Sequence, residues 1–293
     1  MTSATARKRK NRRHHEAHNQ DNPHGQKGGK TMAEQADLHA LYQESVQNAE
    51  FELDFIEATF NEWNKREPHS MREDFCGTAL SCCEWVSRDS KNTAVGVDFE
   101  KSVLDWGREN NVAKLNADQL SRIELIQDDV LDVNTAKFDL IQAFNFSYWG
   151  FKQRSTMLAY FKALRESLVD DGLLFLDIFG GSECYQTQKE KRKLDGFKYV
   201  WEQAEFNALT NDLTCHIHFR FPDKSKIREA FTYEWRVWGP KELRDILEEA
   251  GFSKHAIYRQ EFDPDTDEAL DEYIMTDEGE DYACWLGYIV AQK

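Results

Sequence analysis

The stretch Arg72–Leu80, REDFCGTAL, decides how this chain folds and what it can hold. It follows a short apolar run and opens onto a helical pattern, as a ligand-binding loop does at the first strand of a parallel sheet. Glycine-rich loops of that kind leave the backbone bare for a ligand. Here Gly77 is the one glycine, and Glu73 and Asp74 put negative charge beside it.

Outward from this loop, short apolar runs alternate with helical stretches. The runs are residues 71–75, 93–99, 122–127, 138–146 and 172–179, and the helices between them are 78–88, 100–113 and 154–169. Near-continuous apolar strands alternating with helices predict a parallel α/β sheet covered on both faces. Upstream, Leu38, Leu41, Tyr42, Val46, Phe51, Leu53, Phe55, Ile56 and Phe60 recur at helical spacing, and Pro68 ends that region. This predicts N-terminal helices over 34–67. Downstream of Gly181, three runs with strand-like alternation (FKYVWEQAEF, LTCHIHFRF and REAFTYEWRVW) predict an antiparallel insertion over 182–238. A helix at 239–252, stopped by Gly251, and strands at HAIYRQEF and ACWLGYIVAQK complete the pattern.

Charge divides the chain in two. Residues 1–33 carry eight Lys/Arg against Glu16 and Asp21, net +6, which leaves −22 of the total −16 on the remainder. The acidic body repels nucleic acid phosphate, so only the tail can attract it. The tail lacks periodicity and is expected to be disordered, with RKRKNRR a candidate nuclear-localisation or RNA-contacting patch beside the plainer reading of a solvated tail. No apolar core follows the basic residues, and no apolar run is long enough to span a bilayer, so a cytoplasmic location is expected. The six cysteines, Cys76, Cys82, Cys83, Cys184, Cys215 and Cys284, include no C-x-x-C pair. Reduced, partly buried thiols are expected, and no metal site.

In an open parallel sheet the ligand lies beyond the carboxyl ends of the strands. Gly77 allows close approach there, and small Thr78 and Ala79 open the next helix, whose amides can meet a carboxylate. Asp98 ends the second strand, 21 residues beyond Gly77, where an acid can accept both ribose hydroxyls; it can also cap the following helix. Asp128 and Asp129 sit at the tip of the third strand, where an acid can take the exocyclic amine of adenine or serve a turn. These features imply an adenosine-bearing ligand. A dinucleotide needs G-x-G-x-x-G for its pyrophosphate; the acids here suit a cationic, phosphate-free ligand such as S-adenosylmethionine.

On these residues the chain resembles the class I S-adenosylmethionine-dependent methyltransferases, in the branch whose first motif reads R-E-D-F-C-G-T-A, over roughly residues 38–293. Against the common family loop D-x-G-x-G-x-G, Glu73 stands at the acidic position, Phe75 at the first glycine, Gly77 at the second and Ala79 at the third; C-G-T-A is a known variant. The resemblance implies a seven-stranded Rossmann-like sheet with an antiparallel β insertion, order 3-2-1-4-5-7-6 with strand seven antiparallel, in a domain over 34–293. It implies S-adenosylmethionine as cofactor, with Asp98 at its ribose, Asp129 at its adenine, Asn145 beside the methyl-transfer site and Tyr42 closing over it. Arg72 is placed at the cofactor carboxylate or, alternatively, paired with an acid. Glu73, Cys76, Gly77, Thr78, Ala79, Phe99, Asp128 and Val130 complete the expected cofactor contacts, Cys76 as a small packing residue rather than a nucleophile.

On the acceptor side, FNFSYWGF (144–151) follows the fourth strand, so Asn145, Tyr148 and Trp149 are candidates to line a pocket. His216 and His218 share one strand face by period two and, with Arg236, are candidates in the insertion. The expected activity is methyl transfer to a small molecule. An RNA or protein methyltransferase guided by the tail, a non-catalytic binding protein of the same fold and a nicotinamide oxidoreductase are the alternatives.

Overall fold

The computed structural model describes residues 29–263, 269–279 and 281–293. The expected disorder and nucleic-acid patch of the tail fall on residues 1–28 and so lie outside the described residues. Order begins earlier than the sequence pattern suggests. Thr31 and Glu34 form a capping box on α1 (Met32–Gln35), and Asp37 caps α2 (Leu38–Val46) by accepting the amides of His39 and Ala40. Next, α3 (Ala49–Asn64) fully buries Leu53, Ile56 and Phe60 at helical spacing and stops at Lys65, which is left-handed.

The core of the fold is a run of parallel strands: β1 (Ser70–Asp74), β2 (Thr93–Asp98), β3 (Ile123–Gln127), β4 (Phe138–Ala143) and β5 (Leu168–Gly180). Between them lie α4 (Leu80–Arg88), α5 (Lys101–Asn110), the short α6 (Ala117–Leu120) and α7 (Arg154–Glu166). The sheet is buried on both faces, which is why its strands read as nearly unbroken apolar runs. Alternate residues of β5 divide between the two cores. Leu174, Leu176 and Ile178 meet Tyr160, Phe161 and Leu164 of α7, while Leu173 and Phe175 meet α3 and the Trp85 face of α4.

The chain then forms a four-stranded antiparallel sheet of β6 (Gln188–Lys193), β7 (Lys198–Asn207), β8 (Asp212–Arg220) and β9 (Lys226–Arg236), in that order. After α8 (Pro240–Ala250) come β10 (Lys254–Phe262), β11 (Ala269–Met275) and β12 (Trp285–Gln292). The large sheet runs β11-β10-β12-β5-β4-β1-β2-β3, and β12 is antiparallel to both β5 and β10. Without β11 this is the expected 3-2-1-4-5-7-6 order. The sheet has eight strands, not seven. Both unforeseen strands, β6 (QKEKRK) and β11 (ALDEYIM), are edge strands rich in charge, and charge at an edge protects against pairing with another chain while it erases the apolar signal of a strand.

The first two helices lie on the small sheet: Leu38, Leu41, Tyr42 and Val46 pack against Tyr199, Ile217 and Phe219. The amides of Met32 and Ala33 donate to Asp223 and Ser225 in the β8–β9 turn, at 2.8 and 3.1 Å. Among the described residues no helix is long and apolar enough to cross a membrane.

Candidate active site

Residues 75–79 turn sharply above the end of β1. Phe75, Gly77 and Ala79 alternate in the left-handed region, at φ 57°, 52° and 56°. Two bonds tie this turn to the tip of β2: Cys76 donates its amide to the Val97 carbonyl at 3.0 Å, and Gly77 donates to Asp98 Oδ2 at 2.9 Å. Two glycines elsewhere give it room. A Cβ on Gly96 would stand 2.9 Å from Cys76 Sγ, and one on Gly107 would stand 2.5 Å from the Thr78 carbonyl oxygen. So β2 and α5 press against the loop where they lack side chains. Asn111 then holds the Thr78 carbonyl through its amide at 2.9 Å.

Asp98 takes the Gly77 amide on one oxygen and the Glu100 amide on the other, at 2.9 Å each. Burial raises its pKa, and these amides pull it back. Beyond it Phe99 is 69% exposed, an aromatic face left in solvent at the end of β2. Asp128 and Asp129 lie exposed at the end of β3. Asp128 is tied to β2 by its amide to the Asp98 carbonyl at 3.2 Å, and Asp129 accepts the Leu131 amide at 2.9 Å. Val130 is buried below them. Gly77, Asp98, Phe99, Asp128 and Asp129 thus gather at the tips of three adjacent strands.

Along β1 the period of two sends neighbouring charges to opposite faces. Arg72 faces α7, where its guanidinium grips Asp74 at 2.6 and 3.1 Å, and Tyr160 donates to the same carboxylate at 2.9 Å. Its place is under the sheet as an ion-pair partner and away from the loop, because even-numbered positions of β1 face that core. Glu73 faces the other way, toward α3 and α4. It is buried, accepts the Cys82 thiol at 3.0 Å and has Gln142 beside it, whose buried amide makes no well-formed hydrogen bond. Burial pushes Glu73 up to about 7.

A cavity of about 410 Å³ lies between the ends of β4 and β5, helices α2 and α3, and one face of the small sheet. Asn145 and Phe146 enter it from a left-handed turn after β4, at φ 57° and 54°. Asp177 holds that turn by accepting the Phe146 amide with both carboxylate oxygens, at 2.9 and 3.2 Å. Tyr42 lines the cavity from α2, with its ring 5.0 Å from Phe231. Glu52, Glu190, Trp201, Tyr233 and Trp235 are among its other lining residues.

Five expected acceptor-side residues are placed elsewhere. Tyr148 and Trp149 are fully buried: the Tyr148 hydroxyl donates to the Asp177 carbonyl at 2.7 Å, and Trp149 stacks on Phe179 with centroids 4.6 Å apart. A short 3-10 turn after Phe146 points both rings into the core. His218 bonds Glu202 at 2.8 Å and accepts the Glu229 amide, and His216 meets Thr232 at 2.9 Å; both lie on the face of β8 away from the cavity. Arg236 pairs with Glu242 at 2.8 Å and stacks 3.7 Å over Trp238. Glu52 and Asp177 were not singled out in the sequence. For Asp177 a signal existed, a lone acid inside LLFLDIF; Glu52 looks like any polar position of an amphipathic helix.

No protein-family model matches the chain, and no curated protein matches it. Solved structures do. One is a S-adenosylmethionine-dependent methyltransferase from Clostridium acetobutylicum ATCC 824: TM-score 0.63, 17% identity, 86% of this chain and 96% of that one covered. Another is CalS10, an amino pentose methyltransferase from Micromonospora echinaspora, solved with S-adenosylmethionine bound: TM-score 0.60, 12% identity, coverage 92% and 99%. The sugar N-methyltransferase KedS8 from Streptoalloteichus sp ATCC 53650 matches with TM-score 0.59 and 14% identity, coverage 95% and 99%. At these identities the likeness establishes the architecture, and the chain has the Rossmann-like methyltransferase fold.

Proposed function

We propose that the protein transfers a methyl group from S-adenosylmethionine to a small-molecule acceptor. One observation carries this: the first loop places a single bare glycine against Asp98, with the buried acid Glu73 behind it and no cradle for a diphosphate. At Gly77 a Cβ would meet nothing nearer than 3.9 Å, so bare backbone faces open space. Asp98 spends one bond per oxygen on backbone amides, which leaves each oxygen able to accept a ribose hydroxyl. Exposed Phe99 offers a face to the adenine, and Glu73 offers negative charge to the ammonium. When bound, the cofactor supplies a methyl already activated on a sulfonium. The chain aligns an acceptor with it, which the cavity at Asn145 suits. The neighbours named for amino pentose and sugar N-methylation support a small acceptor.

The test is Asp98→Ala in isothermal calorimetry with S-adenosylmethionine, with thermal denaturation confirming the fold. Loss of measurable binding is expected. Unchanged affinity removes the assignment, and a fluorescence change with NADH in the wild type favours the nicotinamide alternative instead.

A further inference from the structure

On the large-sheet side the cavity is lined by the carboxyl groups of Glu52 and Asp177, and on the small-sheet side by aromatic rings, with Glu190 and Arg192 on the edge strand β6. Glu52 enters from α3 and Asp177 from β5. Opposite them Trp201, Tyr233 and Trp235 form a continuous aromatic surface, with ring centroids 4.6 to 6.2 Å apart. Arg192 is the one Lys or Arg among the described lining residues. It is exposed, donates to the Ser45 carbonyl and lies 4.9 Å over the Tyr199 ring, so its charge is engaged at the rim. Carboxylates facing π surfaces select a cation over a neutral hydroxyl compound or an anion.

The two acids differ in how they are held. Asp177 accepts the Phe146 amide with both oxygens, so this side chain holds the Asn145 turn. The Glu52 side chain lines the cavity half-buried and has no hydrogen bond or ion pair among the described residues. The titratable groups around it are Glu73 from β1, Asp177 from β5, Tyr42 from α2, Tyr288 from β12 and Tyr273 from β11, all acids or phenols. Burial first, and the field of Glu73 second, push Glu52 up to about 7. A carboxylate poised there, without a partner, is built to receive a proton near neutral pH.

We infer that the methyl acceptor is a small organic amine, bound as its ammonium ion between the aromatic surface and the carboxylates, and that Glu52 takes its proton as general base. This rests on the methyl-transfer reading above. The ammonium N–H proton passes to a Glu52 carboxylate oxygen. The freed nitrogen lone pair then forms the C–N bond to the methyl carbon as the C–S bond breaks, its electron pair staying on sulfur. The product is the N-methylated ammonium ion, and Glu52 releases the proton it took to solvent.

The experiment gives the full-length protein ¹³C-methyl-labelled S-adenosylmethionine and the small-molecule fraction of a cell extract, and reads the product by carbon NMR. An N-methyl resonance is expected. A methyl on oxygen, sulfur or carbon overturns the inference while methyl transfer stands; no transfer to any component, or no cofactor binding in calorimetry, overturns both. For the acceptor so found, Glu52→Gln is expected to lower kcat/KM by about 10²–10⁴-fold and to abolish its rise with pH through neutrality. Its cofactor Kd stays within about twofold of wild type, and Glu52→Asp recovers part of the rate. A wild-type pH profile in Glu52→Gln, or loss of cofactor binding, overturns the assignment of the base.

Discussion

At Gly77 the backbone stands at φ 52°, between Phe75 and Ala79, which hold the same left-handed conformation with a Cβ attached. A side chain there costs of order 1–2 kcal/mol. The loop therefore bears strain at two positions and is relieved at the third, the pattern expected where structure is stored for binding. Gly77→Ala has free space for its methyl, so the fold is expected to survive with stability lowered by about 1–2 kcal/mol. The methyl would cover the one bare stretch of backbone, and cofactor affinity is expected to fall at least tenfold, measured by calorimetry beside urea unfolding. Equal affinity in the variant would show that no ligand approaches this backbone. Arg72 shows the converse. It was legible as a charged residue in the motif, but the period of the strand sends it to the opposite face, where it neutralises Asp74 in a buried pair.

At the scale of elements, α2 closes the cavity and its hold on the rest of the fold is traceable. Asp37 caps the helix with one carboxylate oxygen and accepts the Trp106 indole of α5 with the other, at 2.7 Å. One side chain thus starts the helix and moors it to α5. Asp37→Ala is expected to cost about 1–2 kcal/mol in thermal unfolding, the worth of a cap and one further hydrogen bond, and to speed proteolysis within 31–48. Asp37→Asn keeps the cap through its amide oxygen but puts an NH2 donor against the Trp106 indole, so it should recover only the cap's share of the loss; an alanine variant as stable and as protease-resistant as wild type would mean that packing on the small sheet alone holds α2. The β-strand elements teach a different lesson. Central strands were readable because both faces are buried, whereas β6 and β11 were invisible because edge strands carry charge. His216 and His218 read as a site, yet the same alternation that paired them put both on the face away from the cavity.

Over the whole molecule, three carboxyl groups that feel one another's field, Glu52, Glu73 and Asp177, gather in and behind the cavity. Glu52 and Glu73 are both pushed up from the ordinary 4.5 to about 7, chiefly by burial, and Asp177 is raised as well. A carboxyl whose folded pKa is raised holds its proton better in the folded state, so its stabilising contribution is complete below about pH 4.5 and is lost as pH rises through about 7. For Glu73 the rise is worth ~3 kcal/mol. Urea unfolding without ligand should show wild type losing about 2–3 kcal/mol relative to Glu73→Gln between pH 5 and 8; a constant difference would mean that Glu73 titrates normally. The polypeptide by itself determined the parallel sheet, its covering helices, the antiparallel insertion and the cluster at Gly77, Asp98 and Asp129, because periodicity and spacing along one chain encode which faces are buried and which loops share a sheet edge. Only the tertiary structure decided the cavity: Glu52, Asp177, Trp201 and Trp235 are distant in sequence, and no local pattern tells a cavity-facing aromatic such as Trp235 from a core one such as Trp149. That distinction depends on which sheet and helix close over each ring, and it is made when the small sheet and α2 fold across the ends of β4 and β5.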